Sequence, residues 1–309
     1  MSLIVRRPGT YSLLVDGGRP QSLHAGIPYG GPADSTAWQL GNALVGNTEP
    51  SAMIALEIAL QGPILEATAR HSLVVMGAHF VVQHRQAGTP TSRMVRMGHV
   101  FTVEAGDEVT IQGIDTPTGL RAYICIAVGF KTQTSMLSNE PVKQGDTLDC
   151  PETPHKLPLR WVVPEPWKGT VPAGTARLTP GTHLTKKFKE LLLETKFTIR
   201  PESNRMGLRL SSKAVWPSDG KELVSAPVVP GTLQLPGGGQ PILLGVDAQT
   251  IGGYPRLSHV ITADLDRVGQ LRPGDTIRFT LVTLEEAEQL EQSRQQWLRS
   301  WLERIRWAG

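Results

Sequence analysis

The chain has 309 residues, of which 39% are hydrophobic and 19% charged, with a formal net charge of +3. This apolar share supports a true core and excludes wholesale disorder, and the length suits two ordinary domains or one large one. Lys and Arg are spread along the chain instead of forming a basic stripe, so nucleic acid is not an expected partner.

The 32 Gly and 24 Pro favour many short strands joined by turns, a mainly β chain. No run approaches the ~18 apolar residues of a membrane span, and the N-terminal segment lacks the apolar centre of a signal peptide. Cys125 and Cys150 are the only cysteines, too few for a disulfide framework. The expected setting is the cytoplasm, without membrane association.

Residues 10–31 are loop-rich, punctuated by Gly17-Gly18-Arg19-Pro20 and by Gly26-Ile27-Pro28-Tyr29-Gly30-Gly31. A helix is predicted from the N-cap Asp34 through Trp38, Leu40 and Leu44, with Gly46 as its stop. Strands are predicted over 73–76, 79–83, 100–103, 109–112 and 121–128, the last buried on both faces. Prolines crowd residues 151–182, which places a junction near 155–170 and domains at 1–160 and 161–309. Trp161 and Trp167 indicate that this stretch packs on something.

A short helix is predicted at 184–193. Strands follow at 196–199, 208–210, 232–235, 242–246, 259–262 and 276–282. Thr283 and Glu286 make a T-x-x-E capping pattern for a final helix. Its stripe of Leu290, Trp297, Leu298, Trp301, Leu302 and Ile305 packs on its own barrel or docks a partner subunit. A faint internal echo links Ala105-Gly106-Asp107 to Pro273-Gly274-Asp275, each feeding an alternating strand.

Several chemistries lack their motifs. There is no G-x-x-x-x-G-K-[ST], no G-x-S-x-G elbow, no amidase signature and no biotin-attachment site. Gly237-Gly238-Gly239 is followed by Gln and Pro, so it reads as a hairpin tip. His79 and His84, five apart, fall on opposite faces of a regular strand, and no metal site is expected.

Two segments stand out against this background: Ser203-Asn204-Arg205-Met206-Gly207 and Gln249-Thr250-Ile251-Gly252-Gly253-Tyr254-Pro255. Both are dense in Gly and polar side chains, and both interrupt apolar alternating runs. Bare backbone beside fixed polar groups suits a small polar ligand. If the two turns converge on one wet cleft, the chain has a binding site.

These segments, with Gly18-Arg19-Pro20, Gly26 through Asp34, Gly41-Asn42-Ala43-Leu44-Val45-Gly46-Asn47, Leu56-Glu57-Ile58, Pro230-Gly231-Thr232-Leu233-Gln234, Gly239-Gln240-Pro241 and Leu271-Arg272-Pro273-Gly274-Asp275, resemble the allophanate hydrolase subunit 2-like, or biotin-dependent carboxyltransferase, family. The resemblance covers nearly the whole chain. It implies two tandem cyclophilin-like β-barrel domains with a few short helices and a C-terminal helix. It implies a companion subunit resembling a kinase inhibitor, with a lactam-hydrolase subunit or a biotin carrier as further partners. Two activities follow from it: ATP-dependent ring opening of the 5-oxoprolinase type, and carboxyl transfer from biotin carried in trans to a urea-like nitrogen. A third reading, a non-catalytic antagonist of a kinase inhibitor, also occurs in the family. ATP enters by resemblance alone.

Both substrates present a planar amide-like carbonyl flanked by N–H, which calls for fixed donors and acceptors. The resemblance thus implies Gln249, Tyr254 and Asp34 as catalytic groups. It implies Asn204, Arg205, Gly252, Gly253 and Glu57 as substrate-binding groups, Arg205 holding a carboxylate as a fork. Structural roles compete: Asp34 as N-cap, Arg205 as an ion-pair clamp, Asn204 as holder of a left-handed turn, and Glu57 as the partner of an Arg. Glu57 in an apolar stretch otherwise reads as a buried site carboxylate. The chain departs from the family at the short 131–142 loop, at Ala248 where relatives usually carry Arg, and at Val15. These departures open altered specificity or loss of catalysis.

Overall fold

The computed structural model describes residues 1–114, 119–132, 140–153, 157, 160–214, 216 and 223–307. Most of the short 131–142 loop, and Pro154 and Pro158 of the proline-rich stretch, lie outside them. The chain divides into two compact units that interleave in sequence: residues 18–33 group with the second unit, and the chain from Leu298 groups with the first. The sequence alone suggests one cut near 160. The mainly β architecture with few helices and a long C-terminal helix is as expected.

The first unit contains β1 (Ser2–Arg7), β2 (Tyr11–Val15), α1 (Ser35–Leu44), β3 (Ala55–Ala59), β4 (Ile64–Ala67), β5 (His71–Gly77), β6 (Phe80–Arg85), β7 (Ser92–Val95), β8 (Phe101–Val103), β9 (Glu108–Ile114), β10 (Arg121–Ile126) and β11 (Thr147–Asp149). They form a six-stranded sheet, β11-β1-β4-β9-β6-β7, and a five-stranded sheet, β2-β3-β10-β5-β8. Alternate residues of both sheets, among them Leu3, Leu65, Phe80, Leu56, Val75 and Ile124, meet in one core. Strand β10 is buried throughout, as its unbroken apolar run indicates, because α1 covers its outer face. Close approach of that helix requires Gly41, where an added Cβ would lie 2.7 Å from Cys125 Sγ.

The second unit contains β12 (Thr175–Pro180), α2 (Lys186–Glu194), β13 (Phe197–Ile199), β14 (Gly207–Ser211), β15 (Ala226–Pro227), β16 (Thr232–Gln234), β17 (Ile242–Leu244), β18 (Ile251–Gly252), β19 (Arg256–Val260), α3 (Leu265–Gly269) and β20 (Thr276–Leu281). Seven strands close a barrel in the order β12-β19-β16-β17-β14-β13-β20, while β15 and β18 form a separate two-stranded ribbon. Leu178, Phe197, Leu208, Leu233, Leu243 and Phe279 fill the barrel. The predicted strand at 259–262 lies earlier in the chain, because Thr262 already begins a 3-10 turn.

The internal echo is physical. Gly106 (φ +83°) and Gly274 (φ +88°) are left-handed, and in each turn the following Asp accepts a backbone N–H three residues back: Glu104 N to Asp107 Oδ2 at 3.0 Å, Arg272 N to Asp275 Oδ2 at 2.8 Å. Lys143 and Asp146 repeat the device around Gly145. The final helix, α4 (Leu284–Trp307), starts with a reciprocal capping box: Thr283 N donates to Glu286 Oε2 and Glu286 N to Thr283 Oγ1. Its Leu290 and Trp297 pack on Trp167, Ile261 and Ala263 of the second unit. Trp307 is 85% exposed. No helix among the described residues is long and apolar enough to cross a membrane.

Candidate functional site

The outer face of the second barrel carries the site. Strands β14, β17 and β16 run side by side in register, so that Leu208, Leu243 and Leu233 form one inward row and Arg209, Ile242 and Gln234 the next row outward. The chain enters β14 through the 203–206 turn and leaves β17 through the 245–250 turn. The partners Gly207 and Leu244 bring those two turns to one end of the strand pair.

Arg205 fastens the turns together. Its Nε donates to Asp247 Oδ2 at 2.7 Å and its Nη2 to Asp247 Oδ1 at 2.9 Å and to the Gly31 carbonyl at 2.7 Å. Asp247 N donates back to the Arg205 carbonyl, Gly245 N to that of Met206, and Gly30 N to that of Val246. The loop-rich 26–31 segment thereby becomes part of the same hydrogen-bonded knot. Both charges are desolvated, with side chains 5% and 9% exposed. Of the two readings of Arg205, the clamp describes it. Its Nε–Nη2 edge is taken up by the Asp247 carboxylate.

A cavity of about 430 Å³ opens beside this clamp. Asn204, Gln249 and Tyr254 line it from the two turns, and Arg209, Gln234 and Gln240 from the barrel strands and the hairpin tip. Ile242 and Leu244 make an apolar floor, continuous with Val228 and Ala248. The two Gly-rich segments thus converge on one open cleft, and three of the eight predicted site residues line it. Tyr254 is 47% exposed. Asn204 holds its turn through Oδ1, which accepts from Met206 N at 2.9 Å. It does so without left-handed backbone: Leu60 and Val128 are the only described non-glycine residues with positive φ.

The glycines serve packing inside the site. A Cβ on Gly252 would lie 2.7 Å from Gln234 Nε2, and one on Gly253 would lie 2.8 Å from the Leu223 carbonyl. At both glycines the space a Cβ would take is filled by other protein groups.

Asp34 and Glu57 belong to the first unit and do not line this cavity. Asp34 Oδ1 caps α1 by accepting from Ala37 N, and Asp34 N donates to Tyr123 Oη at 2.8 Å. Tyr123 Oη donates in turn to Glu57 Oε2 at 2.9 Å. Burial, with the nearby Glu57 and Asp34 charges, pushes the Tyr123 hydroxyl far above its ordinary range, so it stays a donor. Arg121 Nε lies 3.2 Å from Glu57 Oε1, within ion-pair reach but misaligned for a hydrogen bond. Glu57 is the buried partner of an arginine and a tyrosine, the structural alternative left open by its sequence.

His79 precedes β6, and His84 within it is buried against Asp107 at 2.7 Å. Among the described residues no group of three or more His, Cys, Asp or Glu is placed to hold a metal ion. Arg209 is not singled out by the sequence, and Gln234 and Gln240 stand in the segments that carry the family resemblance without a site role. The available signal was polarity alternating with leucine in 207–211, and a Gln in a short, wholly buried strand.

Residues 25–281 match the family of the carboxyltransferase domain, subdomain A and B. The chain belongs to that family. This carboxyltransferase-domain protein is 28% identical to the 5-oxoprolinase C-subunit of Escherichia coli (strain K12), with 96% of each chain covered. It is 27% identical to the 5-oxoprolinase C-subunit of Haemophilus influenzae, covering 88% of this chain and 89% of the relative. It is also 28% identical to a putative urea carboxylase of Emericella nidulans, of which it spans 24%. Among solved structures, TTHA0988 is similar at 29% identity and a TM-score of 0.77, over 90% of this chain and 55% of that one. The K. lactis urea amidolyase shares the fold, with a TM-score of 0.79 at 24% identity, over 97% of this chain and 20% of that one. This chain thus spans about half of TTHA0988 and a smaller part of the fused enzymes.

Proposed function

We propose that this chain is a subunit of a heteromeric enzyme that binds a small planar amide in the cavity of the second unit, the reaction of the complex being ATP-dependent opening of a 5-oxoproline-type lactam. One observation carries the reading: Asn204, Gln249 and Tyr254 line one cleft with an apolar floor. Relatives covered nearly end to end are named as subunits of 5-oxoprolinase, which supports the substrate class. The Tyr254 hydroxyl and the Gln249 amide N–H donate to the carbonyl oxygen as charge develops there. The amide oxygens accept from the ring N–H, and the floor packs on the ring face.

The overall change adds water across the lactam C–N bond, coupled to ATP hydrolysis. The Gly237–Gly239 segment lies at the tip between β16 and β17, not at a helix N-terminus. Its amides are not arranged as that kind of phosphate cradle, and nucleotide is assigned to the complex. The companion partners in this reading are a kinase-inhibitor-like subunit and a lactam-hydrolase subunit.

The test is reconstitution of the three subunits with 5-oxoproline and ATP, following glutamate release. Gln249→Ala and Tyr254→Phe are expected to lower kcat/KM about ten- to a thousandfold each, at an unchanged melting temperature. Equal turnover by both variants would remove these groups from the site. A second reading is favoured by the urea carboxylase names: transfer of a carboxyl group from biotin on a carrier in trans to a urea-like nitrogen. Carboxylation of urea by the chain with its companion and a carboxylated carrier, and no glutamate release, would select it. Ala248 and the short loop support the antagonist reading, in which Gln249→Ala leaves partner binding intact and no turnover exists to lose.

A further inference from the structure

The six-stranded sheet of the first unit ends in an open strand. β7 pairs with β6 alone and stands last in the sheet order. Of the four strands that end the two sheets, β7 alone has three exposed residues, Ser92, Arg93 and Met94. On two of the others the chain covers part of the edge: the Ser12 carbonyl of β2 accepts from Val142 N, and the Asp149 carbonyl of β11 from Lys131 N. Away from β6, the backbone groups of β7 have no hydrogen-bond partner among the described residues. Such an edge is a template for another strand.

The charge of this edge is uncompensated. Residues 86–99 include Arg93 and Arg96 and no Asp or Glu. Neither arginine makes an ion pair among the described residues, whereas Arg85, across from Ser92 on β6, is paired with Glu108. Arg93 is also held in place. Its Nε donates to His84 Nδ1 at 3.0 Å, which leaves His84 Nε2–H to donate to the buried Asp107 at 2.7 Å. The Ala87 and Glu104 amides fix Asp107 in turn. A charge that only discourages edge pairing works as well on a mobile side chain. A guanidinium anchored through a buried histidine and aspartate is preorganised, and it keeps both Nη groups for another acceptor.

A second copy of this chain is a poor occupant, because antiparallel pairing of β7 with itself sets Arg near Arg. An acidic strand fits. Alternation places Arg93 on one face of β7 and Met94, 62% exposed, on the other, with Arg96 just past the end. We propose that β7 is the docking edge for an extended acidic segment of the companion subunit. The segment pairs with β7 as an added strand, sets carboxylates against Arg93 and Arg96, and covers Met94. The inference rests on the heteromeric reading and adds the surface and the charge that hold the partner.

The experiment is calorimetric titration of the full-length chain with the kinase-inhibitor-like subunit, joined to amide hydrogen exchange of the complex. Residues 92–96 should gain at least about tenfold protection on binding. Arg93→Glu with Arg96→Glu should weaken binding at least about tenfold, and wild-type affinity should fall as salt is raised. Arg93→Ala with Arg96→Ala replaces the reversal, with the same direction expected, if the reversal lowers the melting temperature. A complex in which residues 92–96 exchange as freely as before would overturn the docking edge and leave the heteromer standing. Affinity within about twofold of wild type in the substituted chain would do the same. A dimer of this chain alone that protects 92–96 would overturn the acidic partner in favour of a second copy. No complex with the wild-type chain would overturn both the edge and the heteromer.

Discussion

Arg205, in the turn before β14, and Arg209, in the middle of that strand, lie four positions apart, yet one is sealed and the other open. The difference is a partner: Asp247, 42 residues away in sequence, closes a two-bond fork on Arg205. Removing the guanidinium would strand a carboxylate whose side chain is 9% exposed. Arg205→Met is therefore expected to lose about 3–5 kcal/mol of stability by urea unfolding. Arg205→Met combined with Asp247→Leu should recover much of that loss, because no charge is then left buried. A loss below about 1 kcal/mol in the single variant would mean the clamp does not hold the turns. The sequence marked both turns as a site because Gly and polar residues broke an apolar pattern. It left the choice between ligand-binding and clamping open for Arg205, because its acid partner is distant in sequence. Glu57 was ambiguous for the same reason, its partners Arg121 and Tyr123 lying on a neighbouring strand.

Elements specified by local chemistry were legible, and those specified by distant pairing were not. The T-x-x-E box of α4 and the Asp34 cap of α1 are decided within four residues. The β15–β18 ribbon is two residues per strand and exists only by pairing 226–227 with 251–252, so no periodicity announces it. Strand β12 hides among prolines, and its place is set by parallel pairing with β20. The Gly-Asp turns sit between these cases, readable as turns and repeated across the units. Gly274 has φ +88° and open space where a Cβ would lie. Gly274→Ala should therefore cost about 1–2 kcal/mol through backbone conformation alone, with kcat/KM unchanged. Thermal denaturation and a turnover assay check it, and a neutral Tm would show that the turn tolerates an L residue.

Each unit holds a histidine neutral by burial, His71 fully buried and His259 half-buried, which ties the stability of the whole chain to pH. Burial depresses His71 in the first unit, partly opposed by hydrogen bonds to the backbone at Pro151 and Ser2. Burial also depresses His259 in the second, helped by the charge of Arg256. Unfolded histidine titrates near 6.5, above both folded values, so between them the unfolded chain binds more protons. Stability is then full above about pH 6.5 and declines as pH falls through the folded values. Asp107 acts in a lower window. Burial pushes its carboxyl up, but bonds from the Glu104 and Ala87 amides and from His84 outweigh that and leave it below its ordinary 3.8. Its contribution is present above that value and is lost as pH falls through the folded one. Melting temperature against pH should thus descend in two stages, one beginning near pH 6.5 and one below about pH 4. His259→Asn should shallow the first stage and Asp107→Asn the second, each leaving the other in place. A melting temperature flat from about pH 7 to pH 5 would show that the two imidazoles find compensating partners when protonated.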